Sequence, residues 1–159
     1  MTQQRLGKSK IKISDFQKND LAHSVNIMRE TQGKLIAKKA KIDFMEGLNP
    51  KTHEYTFLKR KVIKLNNKPI AICGVYQLKT HPRHVFGVCW FGIKKKYQKN
   101  GLGTKLLKWV IAESKKHKKK YLIVWLTKNA FSFYRQFGFK ESTMKVTPKE
   151  ARILLVKKI

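Results

Sequence analysis

Residues 85–108 read VFGVCWFGIKKKYQKNGLGTKLLK: an apolar run, a basic loop carrying Gly101 and Gly103, then leucines at helical spacing. Leu102, Leu106, Leu107, Val110 and Ile111 fall on one stripe with lysines between them, which predicts a helix to about His117. The apolar YLIVWL (121–126) follows as a strand. A strand, helix and strand in that order form a crossover unit, which favours a locally parallel pair of strands. Where a strand ends in a loop that opens a helix, unpaired backbone N–H groups meet the positive end of the helix dipole. Such a loop is a ready anion site.

Outward from this unit, IKISDF (11–16) suits a short first strand. Asn19 or Asp20 can cap a helix to about Glu30, with Leu21, Val25 and Met28 on one face, and a second helix spans Leu35 to Met45 and ends at Gly47. FLKRKVIKLNNKPIAICGVYQL reads as a hairpin, with strands 57–65 and 69–78 joined by a turn at Asn66-Asn67. Its second strand is apolar on both faces and predicts cover on both sides. Thr80-His-Pro-Arg83 turns the chain into the strand 85–93, Asn129 to Gln136 suits a short helix, and Ala151 to Val156 a closing strand. This is an α+β order in a single domain over residues 1–159.

A chain of 159 residues, 42% hydrophobic, suffices for one core that buries roughly two-thirds of the unfolded surface. The longest apolar runs, 69–78 and 85–93, fall short of the roughly 18–20 residues that cross a bilayer, and MTQQRLGKSK has no apolar signal core. A cytoplasmic protein without a membrane partner is expected. Cys73 and Cys89 each lie inside an apolar run without CxxC spacing, so they read as buried reduced thiols rather than a disulfide or a nucleophile. His81-x-x-His84 with Cys89 has metal-ligating residue types, but His-Pro-Arg-His reads as a turn and no fourth ligand has metal spacing. No metal is expected. Trp90, Trp109 and Trp125 each sit in an apolar run or on a helix face and read as core rather than as a base-stacking platform.

Charge is the unusual property: 37 basic residues against 9 acidic, a net charge of +28. Residues 51–100 hold 12 basic and 1 acidic, and residues 101–159 hold 15 and 3, so the excess sits with the glycine loop. Lysine-rich surfaces that serve thermal stability carry glutamate to pair with it, and here most lysines have no acid. A solvated basic face and a field that attracts polyanions both fit the composition, and only the second predicts affinity that falls steeply with salt.

Two phosphate motifs are excluded by spacing. A dinucleotide fingerprint needs a third glycine where Leu106 stands, and a Walker loop needs four residues between its first glycine and Gly-Lys-[Ser/Thr], where only Gly101-Leu-Gly103 occurs. What remains, Gln98-x-x-Gly101-x-Gly103 after an apolar strand, resembles the [Arg/Gln]-x-x-Gly-x-[Gly/Ala] signature of the GNAT superfamily of acyl-CoA-dependent N-acyltransferases. NAFSFYRQFGF (129–139) is similar to the Ala-x-x-x-Tyr-x-x-x-Gly-Phe element of that family, with Ala130, Tyr134, Gly138 and Phe139 in register. The resemblance covers roughly residues 85–140, with a helix and a strand between the two elements as in that family.

The resemblance implies a mixed, mainly antiparallel central sheet flanked by helices, with two strands that splay to admit acetyl-CoA as co-substrate. It implies that the pantetheine arm lies along Phe91, Gly92 and Ile93. The pyrophosphate would rest on the backbone of Lys99, Asn100, Gly101, Leu102, Gly103 and Thr104, aided by Gln98, and Asn129 is a further candidate contact. The amine would attack the thioester carbonyl directly, which requires a deprotonated amine, a donor for the developing oxyanion and a proton for the departing thiolate. Tyr134 matches the family's proton donor, with aromatic packing among Phe131, Phe133, Phe137 and Phe139 as its alternative role, and a backbone N–H near Phe91 is the implied oxyanion donor.

The chain also departs from the pattern. Many members carry a glutamate as base on the strand before the loop, and VFGVCWFGI has no carboxylate. Glu54, the one acid of residues 51–100, and His84, at the head of the strand, are the groups that could act through water instead. The family's frequent asparagine three residues before the alanine is Thr127 here, with Asn129 nearby.

The leading functional expectation is an acetyl-CoA-dependent N-acetyltransferase acting on a primary amine. One CoA carries only a few negative charges and does not call for +28, whereas an amine on RNA or DNA, such as aminoacyl-tRNA, or on a nucleic-acid-associated protein, would profit from such a field. Some superfamily toxins use aminoacyl-tRNA, and FYRQFGF is similar to their ending. One alternative is a nucleic-acid-binding module that keeps the fold without catalysis; the missing carboxylate favours it, and the presence of Gln98, Gly101, Gly103 and Tyr134 opposes it. Another is a small-molecule amine acetyltransferase in a lysine-rich proteome, although small amines are cations that this field repels.

Overall fold

The central hairpin joins β2 (Tyr55–Leu65) to β3 (Lys68–Leu78) through Asn66 and Asn67, whose φ angles are 49° and 62°. Two successive left-handed residues are what a two-residue turn between twisted strands needs, and asparagine tolerates that region. In the computed structural model, which describes residues 11–48, 54–126, 130–142 and 153–159, the hairpin lies within a seven-stranded sheet. The remaining strands are β1 (Ile11–Asp15), β4 (Val85–Ile93), β5 (Tyr121–Leu126), β6 (Lys140–Glu141) and β7 (Ile153–Lys158). Their spatial order is β1-β2-β3-β4-β5-β7-β6. Every pairing is antiparallel except β4 with β5, which α3 (Leu102–Lys116) connects as the expected crossover.

Each face of the sheet has its own core. On one face, Ala71, Cys73 and Val75 of β3, Phe86 and Val88 of β4 and Leu122, Val124 and Leu126 of β5 pack under Leu102, Leu106, Leu107 and Val110 of α3. On the other, Val62 and Ile72 pack under Val25, Ile27 and Met28 of α1 (Leu21–Gln32) and Ala37, Ala40 and Phe44 of α2 (Lys34–Glu46). β3 is buried from Pro69 to Val75 because both layers cover it, which accounts for a strand with no polar side.

Four local expectations differ from the structure. Asp20 precedes α1 but its carboxylate does not cap it: the side chain accepts from the Gln17 amide at 3.0 Å and pairs with Lys64 at 2.7 Å, tying the helix start to β2. α1 runs past Glu30 to Gln32, where Gly33 at φ 93° breaks it from α2. Trp125 is not core but 36% exposed; Leu122, Val124 and Leu126 take the buried face of β5, and Tyr121, Ile123 and Trp125 alternate to the face opposite α3. Among the described residues the closing strand covers Ile153–Lys158, ending two residues beyond the expected Val156. Thr127, Asn129 and residues 151–152 lie outside the described residues.

Candidate active site

β4 is irregular at Trp90 and Phe91. Ile72 pairs with Gly92 and Gly74 with Cys89, so Trp90 and Phe91 together oppose Cys73 alone, and Trp90 sits at φ 48°. This is a β-bulge, which bends a strand and re-aims its backbone. Immediately before it, the parallel ladder stops: β4 pairs with β5 from Val85–Tyr121 to Val88–Val124 and no further, while β5 continues along β7 to Leu126–Ile153. The two parallel strands therefore part company on either side of Cys89 and Trp125.

At the far end of β4 the chain crosses into the glycine loop under tight control. The Lys94 amide donates to the Ile70 carbonyl at 2.9 Å and the Lys95 amide to the Glu30 carboxylate of α1 at 2.6 Å. The Gln98 side-chain amide donates back to the Ile93 carbonyl at 3.0 Å, and the Asn100 amide to the carbonyls of Tyr97 and Gln98. Tyr97 is buried under this loop. Gln98 and Asn100 thus shape the turn with their side chains. The turn needs two left-handed residues, Lys99 at φ 60° and Gly101 at φ 73°. Gly101 accepts the first helical bond, from the Lys105 amide at 3.0 Å, so the N–H groups of Leu102, Gly103 and Thr104 form the open N-terminal turn of α3. A Cβ on Gly101 would meet nothing within 4 Å, so the space before this turn is open. That combination can hold a phosphate.

The second motif meets the first across the splay. α4 (Phe131–Arg135) sets the Phe133 ring against Gly103, where a Cβ would lie 3.2 Å from it, and against the Phe91 ring at 5.5 Å. Tyr134, 3% exposed, stands edge-on to Phe91 and to Phe139. Gly138, at φ 80°, makes the turn that returns Phe139 to the Tyr134 ring. Burial, with a smaller push from the Cys73 and Cys89 thiols, raises the Tyr134 phenol well above its ordinary pKa, so it stays protonated. Phe91, Gly103, Phe133 and Tyr134 are thereby neighbours, though far apart in sequence. Gly92 has a different reason to be glycine: a Cβ there would run into the Met28 methyl and lie 2.9 Å from Ile27, so α1 sits directly on the strand.

Glu54 and His84 are not brought to this point. Both are exposed at the opposite end of β4. His84 accepts the Lys120 and Tyr121 amides with its carbonyl, and the Glu54 carbonyl accepts the Lys79 amide. At about 3.3 Å per residue, the strand puts roughly 20 Å between His84 and the bulge. The carboxylate that does approach the bulge, Asp43 of α2, carried no sequence signal: it accepts from the Trp90 indole N–H. Lone acids on amphipathic helices are ordinarily solvated, and only the packing of α2 on the sheet reveals this one.

A family model described as an acetyltransferase (GNAT) domain matches residues 53–141. The chain belongs to the GNAT acetyltransferase family. As a GNAT acetyltransferase, the protein takes its acyl group from acetyl-CoA. The fold is shared with an acetyltransferase from Streptococcus agalactiae, at 18% identity over 94% of this chain and 98% of that one, with a TM-score of 0.79. An aminoglycoside 6'-N-acetyltransferase complexed with coenzyme A is similar over 92% of this chain and 96% of its own, at 12% identity and a TM-score of 0.73. The PaiA N-acetyltransferase from Thermoplasma acidophilum, also in complex with coenzyme A, covers 99% of its own length and 94% of this chain, at 15% identity and a TM-score of 0.72. Comparison with the curated proteins gives no match.

Proposed function

We propose that this GNAT enzyme transfers acetyl from acetyl-CoA to a primary amine carried on a polyanion, with the α-amino group of aminoacyl-tRNA as the acceptor class. The observation that carries this reading is the charge: +28 overall, with Lys95, Lys96, Lys99, Lys105 and Lys108 exposed around the glycine turn and Lys115, Lys116, Lys118 and Lys120 exposed beyond it. The amides of Lys99 to Thr104 cradle the pyrophosphate, and Phe91 to Ile93 align the pantetheine arm.

The amine nitrogen attacks the thioester carbonyl, and the Phe91 N–H receives the developing oxyanion. The carbon–sulfur bond then breaks, the thiolate takes the phenolic proton of Tyr134, and the new amide nitrogen gives its surplus proton to solvent. The acceptor class follows in part from the missing base. Neither β4 nor β5 contains a carboxylate, and the Cys89 thiol, pushed up to about 12 by burial, is no base at neutral pH. At pH 7.5 about a third of an α-amino group is already neutral, against about one lysine amine in a thousand. An α-amino acceptor therefore reacts without a dedicated base, and lysine does not. Small polycationic amines are disfavoured by the same field that favours RNA.

The test compares acetylation of mixed aminoacyl-tRNA, free amino acids, spermidine and a lysine peptide, each at about 50 and 200 mM salt. Preference for aminoacyl-tRNA with at least a tenfold loss of kcat/KM between those salt levels is the expected result. Equal use of free amines, insensitive to salt, overturns the polyanion reading.

A further inference from the structure

Trp90 is a bulky residue held in the left-handed region, at φ 48°, at the bulge that opens the sheet. Something must hold it there, and the structure supplies a three-donor clasp. The Asp43 carboxylate of α2 accepts from the Trp90 indole Nε1–H, from the Tyr55 hydroxyl and from the Arg60 guanidinium. Arg60, itself 6% exposed, also donates to the Asp43 main-chain carbonyl at 3.2 Å and lies 5.3 Å over the Phe44 ring. Phe44 in turn meets the indole edge-on at 5.8 Å. An Arg–Asp pair that only joined α2 to β2 would need no donor from β4. The third donor comes from the bulge residue itself, and the next residue in the chain is Phe91.

We propose that Asp43 is a positioning residue for acetyl transfer: by holding the Trp90 indole it fixes the bulge and so keeps the Phe91 N–H aimed into the splay. Asp43 touches neither substrate nor thioester and acts through Trp90. The inference rests on the reading of Phe91 as the oxyanion donor, and on the family's chemistry, but not on which amine is the acceptor.

The experiment uses the full chain with acetyl-CoA and hydroxylamine, a small and largely neutral amine that needs no acceptor pocket. Trp90→Phe keeps an aromatic ring beside Phe44 and leaves the Asp43–Arg60 pair in place, and it removes the N–H donor together with the second ring of the indole. Its kcat is expected to fall at least tenfold, with acetyl-CoA affinity by calorimetry within twofold of wild type. Asp43→Asn should behave alike, should shift the Trp90 indole N–H resonance, and the double variant should be no worse than the poorer single one, because both substitutions break one link. Wild-type kcat in Trp90→Phe, or losses that multiply in the double variant, overturns the proposal. If Asp43→Asn does not fold, Trp90→Phe decides alone. A wild-type protein that neither binds nor turns over acetyl-CoA sinks the acetyltransferase reading and this inference with it, a result distinct from active enzyme with indifferent variants.

Discussion

The Tyr134 ring stands edge-on to the Phe91 ring, with centroids 5.9 Å apart and planes at 65°. The proposed proton donor and the strand proposed to carry the oxyanion donor are thus in ring-to-ring contact. Tyr134→Phe should keep the packing with Phe91, Phe133 and Phe139 and lose only the phenolic proton. Turnover is expected to drop about 10²-fold with acetyl-CoA affinity unchanged. Steady-state kinetics with calorimetry separates the two, and undiminished turnover would make Tyr134 a packing residue only.

Gly101 is required for its backbone and for the open space beside it, and two substitutions separate these. Gly101→Ala forces a Cβ into φ 73° and should cost about 1–2 kcal/mol of stability, with little steric effect because nothing lies within 4 Å. Gly101→Arg carries the same strain and also fills the space in front of the α3 amides. Denaturant melts should show similar losses for both, whereas acetyl-CoA binding should fail only in the arginine variant. Equal affinities in the two would remove the phosphate from this turn.

The parts legible in the sequence were those with strong local signals. Asn66-Asn67 marked its hairpin, the leucine stripe from Leu102 marked α3, and the order strand, helix, strand marked the one parallel pairing. β6 was missed because Lys140–Glu141 is two charged residues, too short to show any period. The site divides in the same way. The glycine turn and Tyr134 are read from motifs, whereas the bulge at Trp90–Phe91 is a matter of register against β3, set by how α1 and α2 lie on the sheet. Asp43 and Trp125 follow from that packing too: one polar residue is drawn inward and one aromatic residue is left at the surface, against their usual habits.

Gly92 tests whether α1 and β4 are packed as tightly as the geometry indicates. Gly92→Val pushes a branched side chain into Met28 and Ile27, both fully buried, and should destabilise the protein by about 1–3 kcal/mol. It should also weaken the link by which the Gln32 side-chain amide of α1 donates to the Phe91 carbonyl at 3.2 Å. Thermal melts check the first effect. A variant as stable as wild type would mean that α1 can lift from β4 without cost.

Cys89 offers a pH-dependent check on the same region. As a residue it is only half-buried, but its sulfur lies against Gly74, 2.6 Å from where a Cβ would stand there, and near Arg60. Burial raises the thiol from an ordinary 9.0 to about 12, with the Arg60 charge opposing and the Asp43 charge adding. Three units mean about a thousandfold less thiolate at pH 8 than in an unfolded chain, and the thiolate is the form that alkylates. Cys73, fully buried, is raised as well. Iodoacetamide at pH 8, read by mass spectrometry, should therefore label the native protein at least about a hundredfold more slowly than the denatured one. The sign for stability follows: below about pH 9 the thiol is protonated folded or unfolded and its contribution is fully present, and as pH rises from there toward 12 only the folded chain keeps the proton, so stability is progressively lost. Asp43→Asn should lower the Cys89 pKa by removing a nearby negative charge, so a faster native labelling rate in that variant, at equal stability, is expected. Labelling of the wild-type native state at the denatured rate would mean that the sulfur is open to solvent, and that the bulge is looser than its pairing with β3 requires.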